Sequence, residues 1–297
     1  MSQAHLDRFA VVLLVLLCAI WGGQQVAIKW ALEAVPPLMQ AGLRSVIAVL
    51  LLSLWMWRKG ENPLRWDSAG WWGCLAGVLF SGEFLMLYWG LEFTSASRAA
   101  VFLYTSPFVV ALGAHFLIAG EHLSRLKLSG LVIAFLGIVL AFYSDEAAPS
   151  EQGVGDLLVL VGAVFWGLTT LVIKVSPQQA LSAEKILLYQ LAVSAVLLPT
   201  GSWLLNEPAL GEITLKVAGS MFYQSVIVAF ISYTVWFWLV RQYQASKVTA
   251  FGFLSPMFGV LAGWLLLDET ISQSFIIAFL LVIIGVWLVN KPASRRL

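Results

Sequence analysis

From Phe9 onward the chain is a succession of long apolar runs separated by short polar breaks, and the runs take up nearly all of it. A helix needs roughly 20 mostly apolar residues to cross a bilayer. Ten stretches meet that description: 9–30, 36–57, 68–91, 97–118, 126–143, 154–174, 183–204, 215–240, 247–267 and 273–290. The connections are short and polar, as in RKGENPLRWD from Arg58 to Asp67, so no insertion could hold a soluble catalytic domain. The expected fold is an all-α polytopic membrane protein of ten transmembrane helices.

The pattern repeats. WGGQQVAIK, Trp21 to Lys29, returns as WGLTTLVIK, Trp166 to Lys174, with Trp, Gly, Ile and Lys in the same places and a Thr pair for the Gln pair. ASRAAVFLYTSPF, Ala96 to Phe108, returns as ASKVTAFGFLSPM, Ala245 to Met257, and GEHLS, Gly120 to Ser124, as DETIS, Asp268 to Ser272. A cleaved leader would not reappear in mid-chain, so the first span belongs to the fold. Each half carries five spans, residues 1–146 and 154–297, joined by a connector at 147–153 within the acidic stretch SDEAAPSEQGVGD. Five is odd, so the second copy enters the membrane from the opposite side. Inverted repeats of this kind are typical of secondary transporters, with substrate bound near the midplane between the copies.

Composition agrees, with 60% hydrophobic and 11% charged residues where soluble domains carry about a quarter charged. Lys and Arg concentrate on one side: thirteen fall on the amino-terminal side and three, Lys29, Arg98 and Lys216, on the other, with Arg44 inside a span. Cytoplasmic loops collect such residues, which predicts both termini in the cytoplasm. A net charge of +1 says nothing about a nucleic-acid partner, no basic tail is long enough to suggest one, and none is expected. Cys18 and Cys74 sit within apolar runs and read as packing residues, with no spacing that suggests a disulfide or a metal site.

Two five-span copies, each opening with a Trp-Gly helix and each carrying a Ser-Pro helix between Ala-Ser-Arg or Ala-Ser-Lys and an acidic GE or DE, resemble the EamA-type members of the drug/metabolite transporter superfamily. Within that group the chain is most similar to the YddG-type exporters of amino acids. The resemblance covers essentially the whole chain and implies alternating access, outward movement of small metabolites, no nucleotide hydrolysis and no cofactor. It also places the protein in a bacterial inner membrane. Such motifs identify the scaffold more than the cargo. Relatives with four spans handle polyaromatic cations by a glutamate on the first span, where this sequence has Gln24 and Gln25.

Ionisable groups within spans are expensive, so those present usually face a cavity or a partner. Arg44 lies eight residues past Pro36 and Glu83 eight before Leu91, which puts both about 12 Å below one surface at 1.5 Å per residue. Two readings stand open: a structural ion pair, or a site in which Arg44 guides a substrate carboxylate and Glu83 takes its ammonium or a proton. His115 reads as a packing residue near the end of its span. Trp21 and Gln25 share one helix stripe, as do Trp166 and Thr170. Each pair is expected either to line a cavity or to bond between helices, while Lys29 and Lys174 on the same stripes read as surface anchors. Gln40 shares the face of Arg44, Tyr189 and Gln190 hold the equivalent place in the second copy, and Tyr104 with Phe108 forms a further stripe. Pro107 and Pro256 interrupt the fourth and ninth spans, each removing one backbone donor, so a kink or hinge is expected at both. Gly73, Gly77, Gly137 and Gly285 are expected to permit close helix packing.

The function these features favour is export of small amphipathic metabolites, amino acids above all, aromatic and apolar ones included. The expected partners are a small-molecule substrate and the lipid bilayer; the sequence leaves the oligomeric state open, and is compatible with a monomer. Alternatives are export of other drugs or metabolites, a passive channel, or an intramembrane enzyme. The last would want a nucleophile or metal ligands, and neither HExxH nor GxSxG is present.

Overall fold

The structure, a computed structural model, describes residues 7–118, 124–142, 151–243 and 251–290. The first repeat comprises α1 (Arg8–Leu32), α2 (Pro37–Arg58), α3 (Gly70–Phe93), a broken fourth span made of α4 (Ala96–Leu103) and α5 (Ser106–Leu117), and α6 (Arg125–Phe142). The second comprises α7 (Gln152–Val175), α8 (Ala183–Leu204), a compound eighth span, α11 (Leu254–Leu267) and α12 (Gln273–Asn290). In the eighth span α9 (Leu215–Phe222) runs through a π-helical stretch, Tyr223–Ser232, into α10 (Tyr233–Gln242). Seven of the spans are long and apolar enough to cross a membrane, and Leu254–Leu267 and Gln273–Leu288 are shorter apolar helices. The chain is thus an all-α polytopic membrane protein, and the start of α1 and the end of α12 lie at the same end of the bundle.

Local chemistry sets the helix ends. Asp7 caps α1 by accepting from Ala10 N at 2.7 Å, while Ser95, Ser182 and Thr214 cap α4, α8 and α9 in the same way. The Ala10 amide and the Tyr243 hydroxyl together hold the Asp7 carboxyl below its usual pKa. Pro37 begins α2, whose first free amides, Leu38 N and Met39 N, donate to the Glu207 carboxylate at 3.0 and 3.1 Å. The fourth span breaks where its proline required it. The fourth span stops at Leu103 and restarts at Ser106 with Pro107 in its first turn, and α11 starts at Leu254 with Pro256 in its first turn.

Packing follows the repeat. Repeat mates α2 and α8 lie against each other, as do α6 and α12; α1 packs on α11 as its mate α7 packs on α4 and α5. Ser45 Oγ and Ser194 Oγ, counterparts at a shift of 149 (194 − 45), meet at 2.9 Å, so the pseudo-twofold axis passes between them. Glycines set the close approaches. A Cβ at Gly22 would lie 2.5 Å from Phe258 Cβ, and one at its mate Gly167 2.5 Å from Val109 Cβ, so helix backbones approach there as no larger residue would allow. Gly73, Gly77, Gly137 and Gly285 likewise pack against Tyr189, Val193, Ala278 and Ala134.

Candidate functional site: a cavity closed at one end

A cavity of about 690 Å³ runs from the middle of the bundle to the end that carries the start of α1. Its deep wall is aromatic and amide-rich: Trp21, Gln24 and Gln25 from α1, Phe80, Glu83 and Phe84 from α3, Tyr104 at the break, Trp166, Thr169 and Thr170 from α7, Gln190 from α8, and Tyr233 and Trp236 from α10. Lys127 and Lys174 stand at the mouth.

The two Trp-Gly helices use one device twice. With its amide turned to suit its surroundings, Gln25 donates to the carbonyls of Trp21 and Gly22 at 3.0 and 2.9 Å; its mate Thr170 donates to the carbonyl of Trp166 at 3.1 Å. Each polar side chain therefore satisfies itself on its own helix while lining the cavity, and no lipid-facing polar strip is left. The indoles are held in place. Trp21 Nε1 donates to Ser232 Oγ at 2.8 Å and its ring meets Trp236 edge-on at 5.0 Å, while Tyr104 meets Trp166 edge-on at 5.4 Å.

Seven of the residues picked out in the sequence come together on this wall: Trp21, Gln25, Glu83, Tyr104, Trp166, Thr170 and Gln190. Pro107 and Pro256 also border the cavity. The other four lie elsewhere. Gln40 is fully buried and donates to Ile28 O and to Gln224 Oε1, both at 3.2 Å; Gln224 in turn accepts from Tyr88 Oη at 2.7 Å and donates to Ala27 O at 3.2 Å. This amide network joins α1, α2, α3 and the π-helical stretch. Tyr189 lies behind the wall, against Gly73 and edge-on to Trp66 at 6.1 Å, and Phe108 packs into the apolar core.

Arg44 is the fourth. It is fully buried and forms no direct ion pair with Glu83, but its charge lies close enough to act on Glu83, Tyr88 and Tyr233. Its guanidinium carbon instead sits 3.8 Å from the centroid of the Phe84 ring. Phe84 is on the cavity wall and Arg44 is behind it. Glu83, 6% exposed, faces the cavity without a direct salt bridge and lies within reach of the charge of Arg44.

The opposite end of the bundle is closed by polar contacts. Arg98 Nε donates to Asp156 Oδ2 and Oδ1 at 3.0 and 3.2 Å, its Nη2 donates to Ala141 O at 2.8 Å, and Thr94 Oγ1 donates to Asp156 Oδ1 at 2.5 Å. Beside them Glu269 accepts from Ala96 N, Ser97 N and Ser97 Oγ at 2.6, 2.9 and 2.6 Å. Lys29, read from sequence as a surface anchor, turns inward and donates to Leu91 O and Thr94 O at 3.0 and 2.6 Å, binding α1 to the end of α3. A second hollow of about 330 Å³, bordered by Ser97, Arg98 and Glu269, lies on the far side of these contacts and shares no lining residue with the cavity.

An inverted-repeat helical bundle with a substrate-sized cavity reaching its middle from one end is the architecture of a membrane carrier. The EamA-like transporter family matches residues 8–143 and 153–291, and the chain belongs to it. It is therefore an integral membrane transporter of the drug/metabolite superfamily, not an enzyme. It is 27% identical over 280 residues to the uncharacterized transporter YoaV of Bacillus subtilis (strain 168), covering 93% of this chain and 95% of that one. It is 25% identical over 304 residues to a probable amino-acid metabolite efflux pump of Salmonella typhimurium, covering 95% and 94%, and 24% identical over 289 residues to one of Escherichia coli (strain K12), covering 93% of each. A crystal structure superposes with a TM-score of 0.68 over 97% of each chain at 20% identity, which bears on the fold.

Proposed function

We propose that the protein exports small amphipathic metabolites, chiefly amino acids including aromatic and apolar ones, by alternating access in a bacterial inner membrane. The observation that carries this reading is an aromatic-walled cavity among the described residues that stops at a polar closure in mid-bundle, with a separate hollow beyond it. A channel would run through. The excess of Lys and Arg at the mouth end supports a cytoplasmic placement of that end, with the cavity open to the side from which an exporter loads. The efflux-pump relatives support outward movement of metabolites.

Counterflow in proteoliposomes tests it. Liposomes preloaded with phenylalanine or leucine should transiently accumulate the labelled amino acid, saturably and with competition between the two; unsaturable leak, or no movement of any common amino acid, would sink the proposal. Trp166→Leu sharpens the test, since it keeps an apolar side chain but removes an aromatic partner. Loss of such stacking is worth about 0.5–1.5 kcal/mol, a few-fold to roughly tenfold in affinity. Phenylalanine-like cargo should weaken by that factor and leucine much less, at normal expression. Equal loss for all cargo together with a lowered melting temperature would make Trp166 a packing residue only.

A further inference from the structure

We propose that the two Trp-Gly helices carry alternative latches: Trp21 holds Ser232 while the cavity faces the end with Lys127 and Lys174, and Trp166 holds Glu83 when it faces the other. The proposal rests on the alternating access of the export reading and names two hydrogen bonds that exchange in it.

It follows from a contact that only one repeat makes. Trp21 Nε1 donates to Ser232 Oγ at 2.8 Å, joining α1 to the eighth span. The counterpart of Trp21 is Trp166, at the head of the matching stripe in WGLTTLVIK. The counterpart of Ser232 is Glu83, at a shift of 149 (232 − 83). That register is fixed locally, because α3 and α10 end at the same shift, at Phe93 and Gln242 (242 − 93), and both are α-helical from the residue after Glu83 and after Ser232 to those ends. The second copy of the bond is therefore Trp166 to Glu83. It is not made in this structure, where the Trp166 indole meets Tyr104 edge-on at 5.4 Å. An inverted-repeat carrier faces the other way when its two copies exchange arrangements around the central site. The contact missing from one copy is then the one that forms when the closed end opens.

The parts for it are in place. Trp166 and Glu83 both line the cavity, and α7 lies along α3 at this level, since a Cβ at Gly162, one turn before Trp166, would lie 3.2 Å from Glu83 O. Glu83 and Ser232 each offer an oxygen as acceptor. The bond does not depend on the charge state of Glu83, on which Arg44 acts, because a carboxyl group accepts through oxygen whether or not it is protonated. The backbone differs between the copies: the eighth span is π-helical over Tyr223–Ser232, up to the latch residue itself, while its counterpart at 74–83 is α-helical. The π-helical stretch is tied to α1 twice more, by Tyr223 Oη donating to Ile20 O at 2.7 Å and Gln224 Nε2 donating to Ala27 O at 3.2 Å. The counterparts of those two residues, Cys74 and Leu75, offer no hydroxyl or amide. Of the three ties, the indole bond alone has its donor and acceptor in both copies.

The experiment places a reporter cysteine at Val159, fully buried in this structure, in full-length protein whose Cys18 and Cys74 are replaced, and follows its labelling by a membrane-impermeant maleimide as a measure of how often the closed end opens. Trp166→Phe keeps an aromatic ring and removes the donor, and should slow labelling about fivefold. Ser232→Ala removes the opposite latch and should speed it about fivefold, each change being the scale of one net hydrogen bond. Glu83→Met should slow labelling as Trp166→Phe does, the two together no more than either alone, and Glu83→Gln, which keeps an acceptor, should label as wild type. Competition between phenylalanine and leucine should be unchanged in Trp166→Phe, because the ring remains. Shifts of one sign from Trp166→Phe and Ser232→Ala, or no shift from Trp166→Phe, overturn the proposal, as does an effect of Glu83→Met that adds to that of Trp166→Phe. If Glu83→Met fails to fold, the first two variants decide. Counterflow of labelled phenylalanine on the same proteins tests the export reading separately. Opposite labelling shifts in protein that moves no amino acid keep the latches and drop the cargo; counterflow without those shifts keeps the cargo and drops the latches. With neither, both fall.

Discussion

Replacing Asp156 with alanine is expected to destabilise the closed end by about 3–5 kcal/mol, the usual consequence of leaving one partner of a buried ion pair without its counter-charge. Arg98 and Asp156 side chains are 6% and 0% exposed, and Arg98 has Nε on both carboxylate oxygens. Without Asp156 the guanidinium keeps its contact to the carbonyl of Ala141, and Thr94 Oγ1 loses its acceptor. The pair joins α4 to the start of α7, so in a carrier that alternates the loss falls on the closed form more than on the fold. A shift of about 3 kcal/mol changes the ratio of closed to open forms more than a hundredfold. The variant should therefore expose a reporter cysteine at Val159, fully buried in this conformation, to a membrane-impermeant maleimide, in a background where Cys18 and Cys74 are replaced. The double variant Arg98→Met, Asp156→Leu should be less affected than Asp156→Ala, since it leaves no orphan charge. Unchanged labelling with a large drop in melting temperature would make the pair a fixed brace and not a movable closure.

The closing contacts also show what linear sequence hides. Arg98 read as one loop charge among several, and Asp156 as the end of an acidic connector. Nothing local relates two residues 58 positions apart, although the repeat offers a partial clue. Thr94, which donates to Asp156, is matched at a shift of 149 (243 − 94) by Tyr243, which donates to Asp7 at 2.9 Å. Lys247, which aligns with Arg98, lies outside the described residues.

Other features were legible because they depend on run length and spacing. The spans follow from apolar length, the break at Pro107 from a missing backbone donor, and the Trp-Gly stripes from helical period. The misplacements have physical reasons too. Counting residues along α2 and α3 gave Arg44 and Glu83 a common depth, but depth says nothing about rotation around the helix axis, and Arg44 is turned onto Phe84. Gln40, on the same face of α2, is turned from the cavity with it. Tyr189 and Gln190 are consecutive, so a helix that aims one at the cavity aims the other about 100° away. Tyr104 and Phe108 are four apart but span the break between α4 and α5, where helical spacing no longer holds. Tyr233 and Trp236 share a helical stripe and could have been added to the wall, whereas the π-helical stretch before them has no sequence signature that periodicity would find.

Glu269 should be the second sensitive point of the closed end, and Glu269→Ala is expected to weaken that end by about 3 kcal/mol, one strong or two weaker charge-assisted bonds. Its carboxylate takes two amides at the first turn of α4 together with the Ser97 hydroxyl, so it meets donors that the helix itself cannot satisfy. It also sets a negative charge at a helix N-terminus, a favourable place for one. Glu269 follows the last turn of α11, and its contacts with α4 therefore fasten the second repeat to the first at the closed end. Just before it, Asp268 adopts a left-handed backbone with φ 52°, an unusual conformation for a residue other than glycine, which turns the chain back so that the next side chain reaches α4. Glu269→Gln tests charge against shape. The amide oxygen can still accept, but the amide nitrogen is a donor facing donors, so the variant should recover only part of the loss. Maleimide labelling at Val159 should rank wild type lowest, Glu269→Gln next and Glu269→Ala highest, and rates of phenylalanine counterflow should change while its competition by leucine stays the same. If Glu269→Gln labels like Glu269→Ala and both also alter cargo preference, Glu269 acts on the binding cavity and the assignment to the closure is wrong.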